Sequence, residues 1–184
     1  ISNISKSDSE ELVKRVKKIV KEQKVDVVIF EDYDKGLLLQ ENIKEIVDYL
    51  NENNIPSCVD PKKNNFLNYH NTSLFKPNFI EFTNGLKEDI KKGDINNLNI
   101  HAEKLSNKLN IKNVMITLSE HGVLLFNKEN STHVPAEIRN ISDVSGAGDT
   151  VISTASLAYA SGLNNQQMVK LANLSGGLVC EEVG

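Results

Sequence analysis

Apolar residues along this chain recur in two alternating rhythms. Leu12, Val13, Val16, Ile19 and Val20 follow at three- and four-residue steps, and Ser7 with Glu10 has capping-box spacing, so a helix is predicted over residues 8–23. Residues 25–30 form a nearly continuous apolar run with β-branched members, which predicts a strand buried on both faces. The polar segment 31–36 follows. Ile43, Ile46, Val47 and Leu50 then mark one face of a second helix that ends at Asn53-Asn54. Residues 56–60 and 73–76 read as strands closed by Pro61 and Pro77. Residues 79–92 read as helical or irregular, and 97–109 as a helix. Strands are predicted over 113–117 and 123–126, with Gly122 ending the turn between them, and a further short one over 132–135. Two helices, 147–161 and 165–181, finish the chain.

Helices and strands in alternation mean βα units, hence a mostly parallel sheet covered on both faces. Ligands of such sheets bind outside the carboxyl ends of the strands. Four polar segments fall there: Glu31 to Gly36, Asp60-Pro61-Lys62, Lys76 to Glu81, and Thr117 to Gly122. Their convergence on one edge is the main sign of a site.

Composition narrows the function. A chain of 184 residues with 39% hydrophobic and 25% charged residues suits one globular domain or a large piece of one. Its net charge of −4 gives no basic footprint for nucleic acid. No run of about 18 apolar residues is present to span a membrane, and the opening residues lack a signal-peptide core. Cys58 and Cys180 stand far apart in apolar surroundings and read as buried free thiols of a reducing cytoplasm. His70, His101, His121 and His133 are scattered without metal-ligand spacing.

The densest chemistry is Asp143-Val144-Ser145-Gly146-Ala147-Gly148-Asp149, followed by helix formers. Small residues open a helix N-terminus, where free N–H groups and the dipole attract anions and let a phosphate approach the backbone. An acid beside them can take a proton from an alcohol, which points to phosphoryl transfer onto a hydroxyl. The plain alternative is a tight turn with Asp149 as a first-turn helix acid, stabilising by roughly 0.3–1 kcal/mol.

With Asp32-Tyr33-x-Lys35-Gly36, Val59-Asp60-Pro61-Lys62, Pro77-Asn78-x-x-Glu81 and Ser119-Glu120-x-Gly122, this segment makes five motifs in order over almost the whole chain. Together they resemble the ribokinase-like (PfkB) carbohydrate kinases, and most of all the heptose-7-phosphate kinase domain of bifunctional heptose kinase/adenylyltransferases of lipopolysaccharide precursor synthesis. The resemblance implies a three-layer α/β/α core with a mostly parallel sheet. It implies a cytoplasmic kinase that uses ATP and Mg²⁺, with a monovalent cation as a further candidate, and D-glycero-D-manno-heptose 7-phosphate as acceptor. Asp149 would be the base, and the N–H groups of Gly146, Ala147 and Gly148 the anion hole. Asn78 and Glu81 would act near Mg²⁺, partly through water. Thr117, Ser119, Gly122 and Asn173 would line the nucleotide, although the family usually has glycine where this chain has Ser119. Asp32 and Lys35 would face the sugar phosphate. The resemblance covers the C-terminal part of the family's domain and lacks its N-terminal strands, sugar-binding Gly-Gly turn and β lid. It therefore implies a fragment with little or no turnover of its own, and a homodimer only for the full-length protein. Other PfkB carbohydrate or nucleoside kinases, a non-catalytic nucleotide-binding module and a purely structural domain are the alternatives.

Overall fold

Both rhythms are realised in the structure, a computed structural model that describes residues 2–137 and 142–181. The elements run α1 (Lys6–Glu22), β1 (Val28–Glu31), α2 (Gln40–Glu52), β2 (Ser57–Asp60), β3 (Leu74–Phe75), α3 (Phe79–Leu86), α4 (Ile95–Leu109), β4 (Asn113–Thr117), β5 (Val123–Asn127), β6 (Ser131–Val134), α5 (Ala147–Ala160) and α6 (Asn165–Val179). The strands lie in the order β1-β2-β3-β4-β5-β6. The first four are parallel, and β5 and β6 continue the sheet antiparallel.

Alternation along each strand divides the interior into two cores. Phe30, Val59, Phe75, Val114, Ile116 and Leu124 point one way, into the layer of α1 to α4, where they meet Ile43, Leu50, Phe82, Leu98 and Leu105. Cys58, Leu74, Met115, Val123 and Leu125 point the other way, against Ile152, Ala155, Val169 and Ala172 of α5 and α6. The result is a three-layer α/β/α core. No helix among the described residues is long and apolar enough to cross a membrane.

Three details depart from the sequence reading. Helix α1 begins earlier, because Ser5 rather than Ser7 is its cap: the Ser5 hydroxyl accepts the Asp8 N–H at 3.2 Å and donates to the Asp8 carboxylate at 2.7 Å. Strand β1 is not covered on both faces, since it is an edge strand and Ile29 is 36% exposed while Phe30 is buried. Cys58 is a buried free thiol as expected, but Cys180, at the end of α6, is only half-buried. Elsewhere the boundaries agree within a few residues, and β4 matches at both ends.

Candidate active site at the strand ends

The carboxyl ends of β1 to β4 deliver their loops to one edge, where the start of α5 meets them. Asp143 sets up that start. One of its carboxylate oxygens accepts both the N–H and the hydroxyl of Ser145 at 2.9 Å, and these bonds hold the Asp143 carboxyl below its ordinary range, the backbone bond first. Gly146 then turns the chain through φ +75°, a left-handed conformation that suits glycine, and serves as the N-cap of α5. The Ala147 N–H donates to the Val144 carbonyl at 3.2 Å, and the Thr150 N–H to the Gly146 carbonyl at 2.9 Å. The N–H groups of Gly146, Gly148 and Asp149 meet no carbonyl among the described residues. Two of the three expected anion-hole amides are thus open, and the third closes the turn.

Opposite this terminus lies a charge cluster that the sequence reading did not assemble. Lys76, directly after β3, is 2% exposed, and its ammonium stands 3.3 Å from Asp60 at the end of β2. A Cβ added to Gly148 would lie 3.8 Å from both the Asp60 carboxylate and the Lys76 ammonium. The start of the α5 backbone thus lies close to a buried cation, with room left for a methyl group between them. Lys62 approaches the other Asp60 oxygen at 3.5 Å and reaches Glu81 at 2.6 Å. Burial raises the Asp60 pKa, against the pull of Lys76 and Lys62, and Glu81 adds to the rise. Burial works against the Lys62 ammonium, but Glu81 and Asp60 together leave its pKa raised. Glu31, at the end of β1, is raised by burial first and then by the charges of Asp149 and Asp60.

Asn78 and Glu81 form a reciprocal cap on α3. The Asn78 side chain accepts the Glu81 N–H, and Glu81 accepts the Asn78 N–H, both at 2.8 Å. A parallel bridge sets Asn78 beside Thr117 at the end of β4. The turn from β4 to β5 carries Ser119 at φ +51°, which explains why glycine suits that position, and Gly122 at φ +84°. A Cβ on Gly122 would stand 2.0 Å from the Val134 carbonyl. Just beyond, the Pro135 carbonyl accepts the Asn173 amide of α6 at 3.0 Å. Thr117, Ser119, Gly122 and Asn173 are therefore linked along one side of the edge.

The β1 loop differs from its sequence reading. Asp32 is 3% exposed, and its oxygens accept from Tyr69 Oη, Asn65 Nδ2 and the Asp34 N–H, each at 2.9 Å. Burial and the Asp32 charge push the Tyr69 phenol up. Asp32 is thus committed to anchoring its loop. Lys35 is exposed and has no ion pair among the described residues. Tyr33 is the residue of this loop that reaches α5: its hydroxyl donates to one Asp149 oxygen at 2.9 Å. Two grooves, one between α1 and α2 and one beside Asp34 and Asn65, are lined by neither Asp149 nor Lys76.

The sequence profile described as pfkB family carbohydrate kinase matches residues 36–184. The chain belongs to the pfkB family of carbohydrate kinases. Among curated members, the bifunctional protein HldE of Campylobacter curvus is 36% identical over 176 residues, which cover 95% of this chain and 36% of that protein. HldE of Aliarcobacter butzleri is 33% identical over 100% of this chain and 38% of its own length. The chain thus spans little more than a third of these relatives. Its fold is that of phosphofructokinase-2 from Escherichia coli in complex with potassium (TM-score 0.87, 18% identity, 99% of this chain and 58% of that one). Ribokinase of Arabidopsis thaliana complexed with ribose and ATP also shares it (TM-score 0.77, 15% identity, 99% and 55%). This PfkB chain therefore has a ribokinase-like α/β fold. Lys76, Lys62 and Tyr33 stand in polar strand-end segments that pattern reading singled out, but it gave none of them a role and did not pair them with Asp60, Glu81 and Asp149. The signal for Lys76 was a charged residue between a buried strand and Pro77, where a solvated lysine has no reason to be.

Proposed function

We propose that this chain is the C-terminal part of a single ribokinase-like kinase domain, and that the complete protein is an ATP- and Mg²⁺-dependent sugar kinase. Its proposed acceptor is a phosphorylated heptose, D-glycero-D-manno-heptose 7-phosphate, which the HldE relatives favour. The observation that carries the reading is the opening of α5, where Asp149 and open amides face the buried Lys76–Asp60 pair. Asp149 accepts the proton of the sugar hydroxyl while the hydroxyl oxygen bonds to the γ-phosphorus and the bond to the β-phosphate oxygen breaks. The Gly146 and Gly148 amides, the positive end of α5 and the Lys76 ammonium stabilise the charge of the moving phosphoryl group.

Mg²⁺ supplies charge neutralisation on the phosphates when bound. The donors fit a water-rich ion. Asn78 and Glu81 offer hard oxygens already engaged in the α3 cap, and no group of three or more acid, His or Cys residues among the described residues could hold a metal. Thr117, Ser119, Gly122 and Asn173 line the nucleotide side. Lys35 lies on the acceptor side, on the loop that Asp32 anchors. The potassium complex of the fold neighbour makes a monovalent cation a further candidate cofactor. A cytoplasmic location follows from the substrates proposed.

In the complete protein, Asp149→Asn is expected to lower kcat by about 10²–10⁴-fold, the size of a general-base effect. Near-normal turnover would reject the assignment. A panel of heptose, hexose and nucleoside acceptors, assayed with the same protein, tests the substrate.

A further inference from the structure

The hydrogen bond from Tyr33 to Asp149 joins residues 116 positions apart and ties the β1 loop to the first turn of α5. It occupies one carboxylate oxygen, and the other accepts no hydrogen bond among the described residues. Tyr33 is 53% exposed, and its hydroxyl is tied to Asp149. Its neighbours in the loop are fixed, because Asp32 is locked to Tyr69 and Asn65. The donor is also chemically apt. Glu31 already places negative charge beside Asp149, and a neutral phenol can orient the carboxylate without cancelling its charge as an ammonium would.

The geometry points to Tyr33 as the positioning residue of the Asp149 carboxylate. By holding one oxygen, it aims the other at the acceptor hydroxyl and fixes the side-chain rotamer needed for proton transfer. This inference rests on Asp149 being the base. It assigns to the exposed aromatic residue of the β1 loop a role in turnover that neither the motif spacing nor the anion-hole geometry supplies. The bond raises the Tyr33 phenol pKa, chiefly through the hydrogen bond itself, which gives it a signature separate from activity.

The test uses the complete protein with Tyr33→Phe, Asp149→Asn and the double variant. Tyr33→Phe should lower kcat by about 5–50-fold, the loss of one hydrogen bond to a charged group, and leave KM for the sugar within about twofold. On the Asp149→Asn background the same change should cost less than about twofold, because the two residues act as a unit. The phenol step assigned to Tyr33, from the difference between ultraviolet titrations of each protein with and without the Tyr33→Phe change, should move to lower pH in Asp149→Asn. An unchanged kcat in Tyr33→Phe, fully multiplicative losses in the double variant, or an unmoved phenol step each overturns the positioning role alone. Near-normal turnover in Asp149→Asn instead overturns the base assignment and takes the inference with it.

Discussion

Lys76 holds a charge where only 2% of the residue meets solvent, and Asp60 is its carboxylate partner. Removing an ion from water costs several kcal/mol, so such a pair is weak evidence for stability and stronger evidence for use. Breaking it leaves the other charge buried and uncompensated. Asp60→Ala is therefore expected to lower unfolding free energy by about 3–5 kcal/mol in urea titrations. Lys76→Met, which removes the ammonium and leaves Lys62 near Asp60, should cost less. Cys58 gives a second prediction. Burial pushes its thiol up to about 11. The unfolded thiol ionises first as pH rises, so this group's contribution to stability is intact below about pH 9 and lost towards pH 11. Ellman titration at pH 8 should accordingly modify half-buried Cys180 well before Cys58, which should react only on unfolding. Sequence showed both cysteines but could not rank them, because burial depends on which layer each residue faces.

Elements were the most legible level. Apolar period with turn signals located all six strands and five of the six α-helices among the described residues, since each has a face that must be buried; α3 (Phe79–Leu86) fell in a stretch, 79–92, read as helical or irregular. Apolar period failed where a neighbour decides. The cap of α1 is Ser5, bonded to Asp8, where the spacing pointed to Ser7, and β1 was read as doubly covered because its apolar run does not reveal an edge. The two left-handed glycines near the site make a contrasting pair. Gly122→Ala forces a Cβ to 2.0 Å from the Val134 carbonyl, and both the turn and the start of the β5–β6 hairpin must shift. Gly146→Ala meets no heavy atom within 4 Å and carries only the conformational penalty. Chemical denaturation should show a loss of about 1–2 kcal/mol for Gly146→Ala, from left-handed backbone alone, and clearly more for Gly122→Ala.

For the molecule as a whole, the layered fold and the edge that carries the site followed from alternation and from the placement of polar segments. The pairings across that edge did not. Tyr33 meets Asp149 and Lys76 meets Asp60 only after strands distant in sequence align, and no local period encodes that register. Asp32 went the other way: it stands at a strand end as a ligand would, yet the fold turns it inward to Tyr69 and Asn65. The residues proposed for the nucleotide side, Thr117, Ser119, Gly122 and Asn173, all lie within these 184 residues. Calorimetry of the chain with a non-hydrolysable ATP analogue and Mg²⁺ should therefore show binding, while coupled assays should show little or no sugar phosphorylation by it. Robust turnover by the chain alone would contradict the proposal that it is a fragment.

Loops from β1 supply one flank of the edge, the β4–β5 turn with α6 supplies the other, and α5 begins between them. The two flanks are held by separate contacts, Tyr33 to Asp149 on one and Asn173 to the Pro135 carbonyl on the other. On the proposed reading the acceptor side and the donor side rest on different crossovers, so replacing Lys35 should alter sugar affinity and leave nucleotide affinity as it was.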